Sequence, residues 1–219
     1  MLRKSLATLP PTLDETYDRI LCAIYKDYSA YVARILQLLV FSSRQLLVDE
    51  ISEIIAIDIE RDPAFDPDEV LEDPLDVLKI CTSLVTIAML DNHYPSNQVV
   101  LLAHYSVKEY LVSERCCHSP AARFSMQPTS SNEFIARSCL AYLLQFQDTD
   151  SFSCECIEKS KLALYTAQYW ISHVQAGPEK ATLLNELIMQ LFSTTGEAYL
   201  NWIRIRDPDI PWREPDVIN

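Results

Sequence analysis

The sequence predicts a mostly α-helical fold that contains one small β-hairpin. Apolar residues recur every three to four positions over most of the 219 residues, which is the spacing of helices with one buried face. Two apolar, β-branched runs at 84–90 and 98–104 flank the polar stretch DNHYPSN, a pattern typical of a hairpin. Three to four helices followed by a two-stranded wing is the order of a winged-helix domain. The segments after 115 predict an α-helical bundle.

The first three helices have clear boundary signals. Pro10-Pro11 ends whatever precedes, and Thr12 with Glu15 forms a capping box that starts a helix. A second helix, at about 28–41, is apolar nearly all round, which indicates a buried central helix. A short third helix is predicted near 49–57. One face of the first helix carries Leu13, Tyr17, Ile20, Leu21 and Ile24, and the third turns Ile51, Ile54 and Ile55 inward.

A loop and a fourth helix lead into the hairpin. Residues 58–73 contain prolines and many acids, so we expect a loop there. Asp73 as N-cap and Pro74 at the first helical position predict a helix that runs to about Thr82. The two strands follow and are joined by the turn 91–97.

The second half of the chain reads as helices throughout. Ser130 and Glu133 form a capping box for the first of them, and a second helix at about 154–174 stops at Gly177-Pro178. A last short helix is predicted near 197–205. Between the helix at 154–174 and the last short helix, a further helix is predicted whose apolar stripe consists of Leu184, Leu187, Ile188 and Leu191.

These patterns divide the chain into five predicted segments. They are a linker helix from a preceding module (1–25), a winged-helix domain (26–115), a linker (116–129), a helical domain (130–206) and a proline-rich linker toward probable repeats (207–219).

Composition excludes several classes of function. Glycine occurs only at Gly177 and Gly196, so the chain has no glycine-rich loop to cradle a phosphate and we expect it to bind no cofactor of its own. The formal net charge of −13 opposes broad attraction to nucleic acid or to anionic lipid. The sequence shows no secretory signal and no apolar run long enough to span a membrane. Seven irregularly spaced cysteines then favour reduced thiols and a cytoplasmic location.

His104 is the candidate site residue because it lies where the second strand of the hairpin meets a new helix. Ser106 and Glu109 form an S-x-x-E capping box, with Tyr105 and Tyr110 at the two staple positions around it. From the residues alone, His104 is a packed histidine, a ligand or a base.

Several blocks of the sequence resemble one family. LPPTLDETYDRIL, FDPDEVLEDPLDVLKICTSLVTI and LLAHYSVKEYL resemble the winged-helix segment of fungal NACHT-type signalling NTPases of the STAND, NLR-like kind, catalogued as the GPI inositol-deacylase winged helix domain. CLAYLLQF, AQYWISHV and YLNWIRIRDPDIPW resemble the helical region that follows it. The chain departs from the family pattern at Leu47, where Ser or Thr usually caps the third helix.

The resemblance implies an architecture larger than this chain. A NACHT module would precede the winged helix in cis and ankyrin-type repeats would follow, so Met1 would open a fragment or a truncated product. In related proteins a histidine in the setting of His104 reaches the β-phosphate of bound ADP and locks the inactive state. A ring N–H that donates to an anionic oxygen beside a helix N-terminus is reasonable chemistry for that role. ADP or ATP would bind only through the NACHT module.

The acidic stretch 58–76 is expected to be a solvated loop. It carries nine acids against Arg61, a formal charge of −8. Acids also fall at five ligand positions of a calcium loop between 58 and 69, but Pro63 occupies the place where that loop needs glycine. Lys79 is the only cation on the helix at 74–82, which disfavours a DNA-reading role.

The cysteines and one aromatic cluster are expected to be structural. The CCH run at 116–118 and the pair at 154 and 156 lack the usual zinc spacing, so no metal site is predicted. Tyr169, Trp170 and His173 read as packing between helices.

We therefore expect a non-catalytic regulatory and coupling segment. It would dock on a NACHT module and relay the state of that module to downstream repeats by protein–protein contacts, without nucleic acid or membrane. A winged-helix DNA-binding regulator is the first alternative. A hydrolase with an unrecognised Cys or Ser nucleophile is the second, although no G-x-S-x-G motif is present.

Overall fold

A computed structural model describes residues 12–90, 98–147, 157, 159–179, 181–193 and 197–206. This part of the chain is mostly helical with one three-stranded antiparallel sheet, which confirms the predicted fold class. Its helices are α1 (Leu13–Cys22), α2 (Lys26–Phe41), α3 (Val48–Ile54), α4 (Asp76–Cys81), α5 (Tyr105–Leu111), α6 (Glu114–Cys117), α7 (Pro128–Leu144), α8 (Ala163–Ala176), α9 (Thr182–Leu191) and α10 (Ala198–Arg206). Its strands are β1 (Leu46–Leu47), β2 (Val85–Met89) and β3 (Gln98–Leu102).

Helices α1 and α2 form as the sequence predicts. Thr12 Oγ1 accepts the backbone N–H of Glu15, so α1 begins where the cap was predicted. Its buried face starts one turn later than expected, because Leu13 is 63% exposed while Tyr17 and Leu21 are buried. Helix α2 is the central helix of the core, and its inward face is formed by Val32, Ile35, Leu36, Leu38 and Val40.

The predicted hairpin forms, but it belongs to a sheet of three strands rather than two. Strand β3 is central, with β2 on one side and β1 on the other. Leu46 pairs with Val100 and Leu47 with Val99. A two-residue strand is too short to show an alternation of apolar and polar residues, so β1 could not be predicted from the pattern. The turn 91–97 lies outside the described residues.

The side chain of the N-cap residue does not cap helix α3. Leu47 is the N-cap residue, and the carboxylate of Glu50 accepts its backbone N–H at 2.8 Å. Two hydrogen bonds from Arg44, at 2.5 and 2.8 Å, hold that carboxylate in place. The half of a capping box that Glu50 supplies therefore substitutes for the missing Ser or Thr. The helix ends at Ile54, three residues before the predicted end.

Helix α4 also differs from its prediction. Asp73 caps a turn, since its Oδ1 accepts the N–H of Leu75 at 3.0 Å, but the helix itself begins at Asp76. It ends at Cys81, and a 3₁₀ turn over 82–84 leads into β2.

The stretch 116–129, predicted as a linker, is packed. A 3₁₀ turn over 122–124 follows α6, and Arg123 donates to the backbone carbonyls of Leu21 and Ile24. Four of its side chains are buried, namely Cys116, Ala121, Phe124 and Met126.

The helical part comprises α7 to α10. Helix α7 begins at Pro128 with Gln127 as N-cap, so the capping box predicted at Ser130 and Glu133 was wrong by three residues. Ser130 Oγ donates instead to the carbonyl of Gln127, at 3.3 Å. Pro128 at the first helical position needs no N–H partner, which suits it to start the helix.

Helix α8 is shorter than predicted at its start and ends as predicted. It begins at Ala163 and stops before Gly177, whereas residues 154–156 lie outside the described part. Helices α9 and α10 confirm the two last predicted helices, with Leu184 and Leu191 buried in α9. The tail 207–219 lies outside the described residues. No helix in the described ranges is long and apolar enough to cross a membrane.

One hydrophobic core runs through both parts of the chain. It joins Ile35 and Leu36 of α2 to Leu140 and Leu143 of α7. Trp170 of α8 lies edge-on to Trp202 of α10, with ring centroids 5.6 Å apart, and Trp202 donates to the carbonyl of Ala167. The domain boundaries stay a prediction, and buried residues of both parts belong to this one core.

A buried polar network joins α7 to α8. His173 contacts Tyr165 Oη through Nε2 at 2.9 Å and Asn132 Oδ1 through Nδ1 at 2.8 Å. Its side chain is 1% exposed, and this burial lowers the pKa of His173 from 6.5 to about 4. The aromatic cluster of Tyr169, Trp170 and His173 therefore belongs to the packing between helices, as predicted.

The His173 network predicts acid sensitivity. Between pH 6.5 and about 4 the unfolded chain binds a proton at this ring and the folded chain does not. The free energy of unfolding should therefore fall as the pH drops through this window, by about 2–3 kcal/mol at its lower end. Urea unfolding of wild type and His173→Gln over this range measures the effect, and the variant should show a shallower fall. Equal slopes in the two proteins would contradict this assignment.

Candidate functional site at the strand-to-helix junction

His104 is the N-cap of α5 and lies two residues beyond the end of β3. Its backbone is extended, and its Nδ1 accepts the backbone N–H of Ser106 at 3.1 Å. The Oγ of Ser106 lies 2.6 Å from the same nitrogen. Because Nδ1 accepts the amide proton, the neutral ring carries its own proton on Nε2. The exposed ring therefore offers Nε2–H as a donor.

The predicted capping box at this junction is wrong. Ser106 is the second residue of α5 and supplies the amide that His104 caps, while Glu109 is exposed on the helix surface. The predicted staple is absent too, because Tyr105 is 68% exposed whereas Tyr110 is buried. The cap shifts upstream because the side chain of His104, in extended backbone, can reach the N–H two residues later.

Helix α1 holds the junction from the other side. Tyr17 Oη and Ser106 Oγ are hydrogen-bonded at 2.6 Å, and the rings of Tyr17 and Tyr110 lie 5.5 Å apart. Tyr110 donates to Asp18 Oδ1 at 2.5 Å, and burial together with this bond raises its pKa. The start of α5 is thus fixed to α1, which places His104 on a rigid support.

A surface cavity of about 390 Å³ opens beside Ser106. Asp14 and Arg115 form an ion pair of 2.8 Å in its wall. The complete lining is Thr12, Leu13, Asp14, Tyr17, Ser106, Glu109 and Arg115. Two carboxylates against one guanidinium give no net attraction for an anion, so this cavity alone is a poor nucleotide site.

The short contact between Ser106 and His104 invites comparison with a nucleophile and its base. In a hydrolase the histidine is oriented by a third group and its acceptor nitrogen serves the nucleophile. Here the same nitrogen accepts a backbone amide, and no carboxylate of the described residues is hydrogen-bonded to the ring. The contact has the geometry of a helix cap.

The acidic stretch 58–76 is an irregular segment held partly by arginines. Arg61 pairs with Asp66 and Glu69, at 3.4 and 2.9 Å. Arg34 and Arg137 reach Asp58 and Glu60 from α2 and α7. Lys79, the only cation on α4, is paired with Asp76 one turn earlier on the same helix. The surface around α4 is therefore acidic, and its one lysine already has a carboxylate partner.

The cysteines in the described ranges are free thiols. Cys116 is buried and Cys117 exposed, so the two do not point toward a common site. His118 is bound through Nδ1 to the carbonyl of Glu114 at 2.8 Å. Desolvation raises the pKa of Cys116 to about 11, which keeps it a thiol at neutral pH. Cys154 and Cys156 lie outside the described residues.

Two buried acids were missed at the level of sequence. Glu50 and Glu53 are 2% and 6% exposed and lie on α3 among isoleucines. Glu50 pairs with Arg44, and Glu53 accepts hydrogen bonds from the helical part. The spacing of three residues between Glu50 and Glu53 in an apolar helix was the available sign that both acids face the core. The same spacing is also found for two acids on an exposed helix face, so it does not distinguish the two cases.

Comparison with known proteins supports the winged-helix assignment. The profile of the family described as "GPI inositol-deacylase, winged helix domain" matches residues 17–127. The chain is 35% identical over 201 residues to the azaphilone pigments biosynthesis cluster protein L of Monascus ruber. The aligned region covers 91% of this chain. It spans only 42% of the length of that relative. No solved structure matches the chain significantly.

The cap geometry predicts a small, separable contribution of His104 to stability. His104→Ala removes the acceptor for the Ser106 amide and should cost about 1 kcal/mol, whereas His104→Asn restores an acceptor and should cost only a few tenths. Urea unfolding of residues 1–219 measures both. His118→Ala, at another exposed histidine, is the control and should stay within about 0.5 kcal/mol of wild type. Equal stability of the Ala and Asn variants at position 104 would show that the ring does not act as a cap.

Proposed function

The chain belongs to the family of the GPI inositol-deacylase winged helix domain, and from this premise we propose that it is a non-catalytic coupling segment of a nucleotide-switched signalling protein. In this proposal it docks on a NACHT module that holds ADP. It releases that module on nucleotide exchange and passes the change to ankyrin-type repeats. Docking of this kind converts the identity of a nucleotide into a change of geometry.

The observation that carries the proposal is the state of His104. Its Nδ1 is used by the cap, which orients the ring and leaves the proton on Nε2. A donor on a rigid, exposed junction suits contact with a phosphate oxygen supplied by another module. The tie between Ser106 and Tyr17 supports this role, because α1 fixes the place of the ring.

The name of the family does not bring its enzymatic activity to this chain. The matching profile is that of a winged helix, and the contact between Ser106 and His104 is that of a cap. The match to a biosynthesis cluster protein of Monascus ruber is compatible with a regulatory role in such a cluster, which belongs to the proposal as well.

The test of the proposal separates the cap from the nucleotide contact. In the gene product that includes any upstream NACHT module, His104→Ala and His104→Asn should each speed ADP release at least about ten-fold, since both lack the ring donor. Stopped-flow release of a fluorescent ADP measures this rate, and His118→Ala should leave it unchanged. Unchanged release from both His104 variants, or a reading frame without a phosphate-binding loop, would refute the proposal. The isolated chain should bind neither ADP nor ATP by calorimetry.

The DNA-binding alternative predicts that the protein binds duplex DNA, and the charges on α4 argue against it. The only cation on α4 is Lys79, which is paired with Asp76, so residues 1–219 should not bind duplex DNA even at about 50 mM salt. Gel-shift titration measures this. An affinity tighter than roughly 1 µM that weakens with added salt would put a DNA-binding regulator first.

A further inference from the structure

The carboxylate of Glu53 crosses the boundary between the winged helix and the helical part. Glu53 belongs to α3, yet the groups that it binds belong to α7 and to the turn before α8. Its Oε2 accepts the hydroxyl of Tyr142 at 2.5 Å and the backbone N–H of Leu162 at 2.9 Å. Its Oε1 accepts the backbone N–H of Lys161, also at 2.9 Å. Three donors thus converge on one side chain that is 6% exposed.

The arrangement requires both side-chain oxygens of Glu53, Oε1 and Oε2, as acceptors. A backbone N–H can only donate, so each carboxylate oxygen must accept from the turn before α8. Burial raises the pKa of Glu53, and the bonds from Tyr142 and the two amides act in the opposite direction. The amides of Lys161 and Leu162 also lie at the N-terminal end of α8, where the helix dipole favours a negative charge.

Other polar contacts across this boundary, among the residues that the structure describes, include a single hydrogen bond and an exposed ion pair. Ser43 donates its backbone N–H to Tyr165 at 3.3 Å, and Arg137 pairs with Glu60, which is 77% exposed. Exposed ion pairs add little to stability, whereas loss of a buried acceptor leaves its donors without partners. Glu53 is therefore a stronger polar tie between the two parts than either of these contacts.

We infer that Glu53 is a latch that makes the winged helix and the helical part unfold as one cooperative unit. Without it, the N-terminal end of α8 has two unpaired amides and Tyr142 loses its acceptor, while the sheet keeps all its hydrogen bonds. The helical part then opens before the winged helix. This inference concerns residues 1–219 alone and does not depend on the NACHT module of the proposed function.

The experiment follows the two parts separately in one protein. Pulse hydrogen–deuterium exchange at increasing urea gives one unfolding midpoint for a peptide that contains β3 and another for a peptide that contains α8. In wild type the two midpoints should coincide. In Glu53→Gln an amide NH₂ faces one of the two backbone donors, so the α8 midpoint should fall below the β3 midpoint by roughly 1 M urea.

Two further variants keep the test decisive. Tyr142→Phe removes one bond and retains the carboxylate, so it should separate the midpoints in the same direction by less, and it decides the question if Glu53→Gln does not fold. Glu186→Gln, at an exposed glutamate of α9, is the matched control and should leave the midpoints together. Midpoints that stay coincident in Glu53→Gln, whether shifted or not, would overturn the latch.

Discussion

The buried carboxylate of Glu53 is the interaction on which the arrangement of the two parts depends. Hydrophobic packing between α2 and α7 is not directional, so many orientations of the helices could bury a similar area. Three hydrogen bonds to one carboxylate are directional, and they fix the start of α8 relative to α3. A mismatch would leave the buried carboxyl group and its donors without hydrogen-bond partners, which costs free energy.

A second acid of α3 performs a similar task within the winged helix. Glu50 accepts the backbone N–H of Leu47 and hydrogen bonds from both terminal nitrogens, Nη1 and Nη2, of Arg44. The Arg44 guanidinium in turn lies 5.1 Å from the ring centroid of Tyr165 in α8. Glu50 thus links the start of α3 and the end of β1 to Arg44, and Arg44 contacts the helical part through Tyr165. Both acids sit on the face of α3 that a purely apolar helix would use for packing.

Arginine pairs hold the acidic stretch, and the last two helices expose apolar side chains. Arg34 and Arg137 tie the acidic stretch 58–76 to α2 and α7, and Arg61 within the stretch pairs with Asp66. The last two helices expose apolar side chains, among them Met189 at 71% and Leu200 at 50%.

The sequence by itself determined the fold class, the order of the helices and the hairpin, because periodic burial leaves a repeating pattern along the chain. It also placed His104 at the strand-to-helix junction, the start of α1 after Thr12 and the end of α8 before Gly177. Tertiary structure alone decided the third strand and the burial of Glu50 and Glu53. The third strand and the contacts of Glu53 depend on partners far apart in sequence, such as Leu46 with Val100 and Glu53 with Tyr142. The cap by His104 in place of Ser106 and Glu109 is local, but several neighbouring polar side chains could supply it and the sequence pattern does not rank them. A local pattern records which face of an element is apolar, but it holds no information about which distant donor meets a given carboxylate.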